Sequence, residues 1–198
     1  MPKMIERKLD TNKKVYMAEE LYAAGYSRYI IGQMVDDGML KRISCNAFEN
    51  MKYEGPESDL YFVPALIPGG IVCLISAAVY YGLSTDWPQV VDVAVKKNRK
   101  ITHEPTYPSV QIHHFGGDRY GLGRVTVQEA GNTFEIYDIE KTVADILYFR
   151  NQVGIEETKE VLVNYLQRRD RNLLKLHEYA IKLGCDRILR TYLEVLVS

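Results

Sequence analysis

Residues Val15–Glu49 read VYMAEELYAAGYSRYIIGQMVDDGMLKRISCNAFE, and the punctuation of this stretch decides the fold of the amino-terminal part. Val15, Ala18, Leu21 and Tyr22 recur at helical spacing, while Glu19 and Glu20 place acid in a first turn, where the helix dipole favours it. A first helix is expected, closed by Gly25. Ser27 then stands where an N-cap belongs, ahead of a second helix whose Ile30, Ile31, Met34 and Val35 form one apolar stripe. That leaves Arg28, Tyr29, Gly32, Gln33 and Asp36 facing outward. Gly38 stops this helix. Leu40–Ile43 alternates like a short strand, Ser44, Cys45 and Asn46 make a turn, and Ala47–Glu49 returns.

Helix, glycine turn, second helix and hairpin in this order spell a winged helix-turn-helix, a module that most often reads duplex DNA and sometimes docks proteins. In that arrangement the start of the second helix meets base edges, which assigns Ser27, Arg28, Tyr29 and Gln33 to the groove. Lys41 and Arg42 on the hairpin are expected at phosphates, which set register without reading sequence. Residues 1–50 carry eight basic and seven acidic side chains, so the module is barely cationic as a whole. The charge is concentrated: residues 1–14 hold five bases (Lys3, Arg7, Lys8, Lys13 and Lys14) against two acids, a cationic approach to the backbone in which Lys13 and Lys14 flank the first helix.

The whole chain has 198 residues, a net charge of −1 and 46% hydrophobic residues. That balance excludes a protein that coats nucleic acid or membranes indiscriminately and confines any DNA contact to a patch. Cys45, Cys73 and Cys185 are odd in number and far apart, with no CxxC pair, which fits a reduced cytoplasmic interior. MPKMIERKLD is too polar for a signal peptide. Ile71–Tyr81 is almost wholly apolar but too short for a bilayer, which needs about 20 such residues, and reads as a buried helix.

A domain boundary is expected at Asn50–Asp59, where Pro, Gly and charge combine, so that residues 1–50 form the DNA-binding domain and 58–198 a second domain. Leu60–Ala65, Val90–Val95, Val110–Phe115, Gly123–Glu129 and Thr133–Tyr137 read as strands of a mixed sheet, with Gly131 and Asn132 as a hairpin turn. Asp138 caps a helix over Ile139–Phe149. Three helical pieces follow: Ile155–Arg168, Asn172–Leu183 with Gly184 as stop, and Asp186–Val197. The fold class is therefore α+β: a winged helix-turn-helix, then a mixed-sheet α/β domain with a helical tail.

Catalytic signatures are incomplete. Nucleotidyl transfer needs two carboxylates two residues apart to hold divalent metal, and Ala94 stands where Asp92 would need its partner. The same Ala94 breaks a nuclease pattern of Asp92 and Lys96. A DNA-targeted nuclease is nevertheless the alternative reading. His113 and His114 are adjacent in a strand and point to opposite faces, which argues against one shared metal, and His103 and His177 are distant. Lys141 and Asp145 lie one helical turn apart as an ion pair. Gly116, Gly117, Gly121 and Gly123 surround Asp118, Arg119 and Tyr120 without the strand-to-helix setting of a phosphate cradle, and read as a flexible loop. Arg168, Arg169, Arg171 and Lys175 form a basic cluster. No catalytic residue, metal or cofactor is assigned.

Four strings, DDGMLKRI, GGIVCLISAAVYYGLS, PQVVDVAVKK and YDIEKTVADIL, together resemble the AbiEi-like antitoxins of bacterial type IV toxin–antitoxin systems, over roughly residues 16–149. The resemblance implies a cytoplasmic antitoxin of an abortive-infection (phage defence) system that represses its own operon by binding promoter repeats. It also implies a functional partner, a nucleotidyltransferase-like toxin, countered without a stable complex, and DNA contacts at Arg28, Tyr29, Gln33, Lys41 and Arg42. The chain departs from the family at the hairpin, where Ser44, Cys45, Asn46, Ala47 and Phe48 replace an Arg, Gly, aromatic turn.

Overall fold

The computed structural model describes residues 8–86, 88–101 and 107–197. Lys3, Arg7 and His103 lie outside them. The chain divides into two compact units, one running to Gly69 and including Val127–Phe134, the other comprising Gly70–Thr126 and Glu135 onward. The division thus falls later than the Asn50–Asp59 segment.

In the first unit, strand β1 (Val15–Met17) leads into α1 (Ala18–Ala23), α2 (Arg28–Asp36), β2 (Leu40–Ser44) and β3 (Ala47–Asn50). The strands form an antiparallel sheet in the order β1-β3-β2, with Val15 opposite Glu49 and Lys41 also opposite Glu49. Val15 therefore belongs to a strand and not to the first helix: its backbone pairs with β3, and helix starts only at Ala18. Leu21, Tyr26, Ile31, Met34, Leu40 and Phe48 close the core beneath the two helices. Leu60–Ala65, expected as a strand, is helical: a 3-10 turn at Asp59–Phe62 runs into α3 (Val63–Leu66). The Ser58 hydroxyl caps the turn by accepting from the Leu60 N–H, and Pro64, in the first turn of α3, has no N–H to lose.

In the second unit, β4 (Ile71–Val72), β5 (Val91–Lys96), β6 (Val110–Phe115), β7 (Arg124–Glu129) and β8 (Asn132–Tyr137) form a mixed sheet in the order β6-β5-β4-β8-β7. β5 runs parallel to β6 and antiparallel to β4, and β4 runs parallel to β8. The turn end of the β7–β8 hairpin belongs to the first unit. Its turn residues are Ala130 and Gly131, both at positive φ, one position earlier than the Gly131–Asn132 turn expected from sequence. Such a turn matches the twist of the strands it joins.

The apolar run 71–81 splits. Ile71 and Val72 complete the centre of the sheet, and only Leu74–Tyr80 is helix, α4. The loop expected at 116–123 contains a short helix, α5 (Asp118–Gly121). Helix α6 (Ile139–Tyr148), capped by the Asp138 carboxylate accepting from the Lys141 N–H, is buried from Glu140 to Leu147. Helices α4, α7 (Arg150–Val153), α8 (Ile155–Gln167), α9 (Leu173–Leu183) and α10 (Asp186–Val197) all pack against it. Among the described residues no helix is long and apolar enough to cross a membrane.

Candidate nucleic-acid interface

Helix α2 owes its position to local chemistry. Gly25, at φ +90°, turns the chain in a conformation that costs other residues steric energy. Buried Tyr26 pins the turn, its hydroxyl accepting from the Lys8 N–H at 3.1 Å and donating to the Lys8 carbonyl at 2.9 Å. Ser27 caps α2 by accepting from the Ile30 N–H. Ile31 and Met34 point into the core, so Arg28 and Tyr29 are left exposed, Tyr29 by 73%. The Gln33 amide donates to the Tyr29 hydroxyl at 3.0 Å, one turn away, and the two side chains form one fixed polar unit on the outer face. Gly32 lies between them in sequence, and among the described residues no atom lies within 4 Å of where its side chain would stand.

The predicted cations are placed unevenly. Lys14 is a correction: it is buried, with Nζ 3.1 Å from Glu49 and 2.9 Å from Glu57, and is withdrawn from the DNA-facing set. Burial alone pulls its amine down, but hydrogen bonds to Glu57 and Glu49 outweigh that and hold it above the ordinary lysine range. Lys13 is half-buried and ion-paired with Glu20. Lys41 is exposed, 3.7 Å from Glu49. Arg42 stacks on Phe48 at 4.7 Å and donates to the Cys45 carbonyl at 3.3 Å. Arg28 forms no ion pair among the described residues.

The candidates in the second unit have other partners. His113 Nε2–H donates to Asp92 Oδ1 at 2.8 Å, and the Ser76 hydroxyl accepts from the Asp92 N–H at 2.8 Å. Asp92 thus has an imidazole partner from the next strand, where a nuclease would need a second carboxylate, and Ala94 is sealed in the core. His113 and His114 do fall on opposite sides, one half-buried and one exposed. Three members of the basic cluster are engaged in the fold: Arg168 clasps Asp170 and the Tyr81 carbonyl, Arg171 donates to the Arg168 carbonyl at 2.7 Å, and Lys175 bridges Asp138 and Glu140 at 3.1 Å each.

The Lys141–Asp145 pair forms, but at 0% exposure for both side chains, and with a third member that sequence spacing did not reveal. Arg119 of α5 bonds the other Asp145 oxygen, donates to the Leu183 carbonyl at 2.8 Å and lies 3.8 Å over the Tyr148 ring. Lys141 Nζ sits 4.0 Å over Tyr137. Burial drives the Lys141 amine below and the Asp145 carboxyl above their usual ranges.

No family model and no curated protein matches the chain. Among solved structures it is similar to the RV2827C protein from Mycobacterium tuberculosis, at 12% identity and a TM-score of 0.47 over 91% of this chain and 76% of that one.

Proposed function

We propose that the first unit is a winged helix-turn-helix that binds duplex DNA, and that the protein is a cytoplasmic antitoxin and autorepressor of the AbiEi-like kind, countering a nucleotidyltransferase-like toxin. The observation that carries the reading is the outer face of α2. An exposed Arg28, an ordered Tyr29–Gln33 pair and a glycine lie on a helix whose opposite face is core. Gly32 is the informative residue. Glycine inside a helix costs roughly 0.5–1 kcal/mol against alanine, and among the described residues nothing occupies the space its side chain would take. Close approach of a partner's backbone supplies a reason for it.

Two substitutions test this reading, with titration of a fragment of the protein's own promoter by fluorescence anisotropy. Gly32→Ala is expected to stabilise the fold by roughly 0.5–1 kcal/mol while weakening specific binding. Arg28→Ala is expected to weaken it about tenfold or more, the worth of one good groove contact. Unchanged affinity in both variants would remove α2 from the interface. With Lys13 and Lys14 held by carboxylates, Arg28, Lys41 and Arg42 are the cations that α2 and the hairpin offer to phosphates among the described residues. The slope of log K against log salt is accordingly expected at roughly −2 to −3, shallow for a DNA-binding protein; a slope near −8 would place many more lysines and arginines on the backbone.

A further inference from the structure

A cleft of about 390 Å³ opens in the second unit where β5 and β6 meet the start of α4 and the end of α7. Leu74, Ile75, Pro88 and Val153 give it aliphatic walls, and Asp86, Asp92, Gln111, His113 and Gln152 supply the polar groups. In-register parallel pairing sets Gln111 beside Asp92 and His113 beside Ala94, so that Asp92, Gln111 and His113 stand on one face of the sheet. The volume lies in the range of small-molecule sites, and apolar walls with a few convergent polar groups are their usual make-up.

We infer that this cleft binds an amino-bearing heterocycle of nucleobase type. With Nε2 of His113 engaged by Asp92 Oδ1 at 2.8 Å, Nδ1 is the ring nitrogen left for a ligand, an acceptor in the Nε2–H tautomer. The carboxylates are acceptors as well, and the two glutamine amides offer both donors and acceptors. Acceptors therefore prevail, and the matching ligand edge carries an exocyclic amine beside a ring nitrogen, as adenine, cytosine and guanine do; uracil has no amine. Aliphatic walls suit the faces of a flat ring. No lysine or arginine lines the cleft among the described residues, and two carboxylates do, which disfavours a phosphate on the ligand. The wall is also strained: Leu74 holds φ +45°, a left-handed conformation that a leucine rarely adopts. The Ser76 hydroxyl faces the Asp92 backbone N–H and supports the carboxylate from behind.

The proposal is independent of DNA binding by α2. Isothermal titration with adenosine, cytidine, uridine and adenosine monophosphate tests it on the full chain. Adenosine or cytidine is expected to bind at least tenfold tighter than uridine, and adenosine tighter than its monophosphate. His113→Ala and the exposed-site variant Gln111→Leu are each expected to weaken the preferred nucleoside severalfold or more, with Arg28→Ala without effect. Gln111 is exposed, so that variant reports on the cleft even where His113→Ala perturbs folding. Absence of saturable binding at about 10 mM nucleoside, weaker than any useful affinity, overturns the proposal. Equal binding of uridine, or full affinity in Gln111→Leu, overturns it equally.

Discussion

Asp145→Asn is expected to destabilise the second unit by about 3–5 kcal/mol, the cost of removing one partner from a buried ion pair. The substitution preserves shape while removing the charge and turning one acceptor oxygen into an NH2 donor, so packing loss cannot account for the result. Asp145 is the sole carboxylate bonded to Arg119 and Lys141 in this cluster among the described residues, with its side chain and that of Lys141 fully buried and that of Arg119 nearly so. Without its charge, two cations face each other, Arg119 keeping the Leu183 carbonyl and both keeping the rings of Tyr137, Tyr148, Phe115 and Phe149. Cation–π contacts of about 1–2 kcal/mol do not offset the desolvation of an uncompensated ammonium.

Lys141→Met makes the complementary test. It leaves Arg119 and Asp145 as a one-to-one pair, fills similar volume and removes an amine whose charged form burial penalises. Its expected cost is below about 1.5 kcal/mol, the range of volume-conserving core swaps. Urea denaturation of the three proteins, followed by near-ultraviolet circular dichroism, decides the matter. Equal losses in Asp145→Asn and Lys141→Met would mean that charge balance is not what the cluster provides.

The same cluster marks where the sequence was legible and where it was not. A local spacing rule finds Lys141 and Asp145, because one helical turn separates them. Nothing in a one-dimensional pattern brings Arg119 to them, since the meeting depends on α5 docking beside α6 and α9. The glycines around Arg119 read as a loop because their spacing hides a four-residue helix. Signals within a few residues held best: the Ser27 cap, the Gly25 and Gly38 turns, the Asp138 cap and the Gly184 stop all act where they stand in sequence.

Failures share a cause, which is a distant partner overriding a local pattern. Val15 has helical spacing to Ala18 and Leu21, yet pairing with Glu49 makes it strand. Ile71 and Val72 look continuous with the helix after them, but pairing with Ala94, Val93 and Ile136 claims them for the sheet. Lys14 reads as a surface cation and is buried because two remote glutamates neutralise it. Asp92 reads as a broken catalytic signature, because Ala94 follows it on its own strand while its partner His113 reaches it from the next.

Asn132→Ala is expected to destabilise the first unit by about 2–4 kcal/mol, a large effect for one polar side chain. Asn132 is 3% exposed, and its amide oxygen accepts from two successive backbone donors, Lys14 N–H at 3.0 Å and Val15 N–H at 3.1 Å. Its amide nitrogen donates to the Ala130 carbonyl at 2.7 Å, which ties the side chain to its own turn. Truncation leaves two buried N–H groups without acceptors, each worth about 1–3 kcal/mol when orphaned, less what an entering water restores. Asn132→Asp separates the two sides of the interaction. Its carboxylate still accepts from both donors but faces the Ala130 carbonyl with like charge, so an intermediate loss is expected. Amide hydrogen exchange at Lys14 and Val15 gives a direct readout: both should exchange faster in the alanine variant, and Val15 should stay protected in the aspartate variant. Because β1 pairs with β3, and β3 with the hairpin strand that carries Lys41, the alanine variant should also loosen the hairpin while the α2 cap at Ser27 remains intact. An alanine variant with wild-type stability and unchanged Val15 exchange would show that other groups secure this strand.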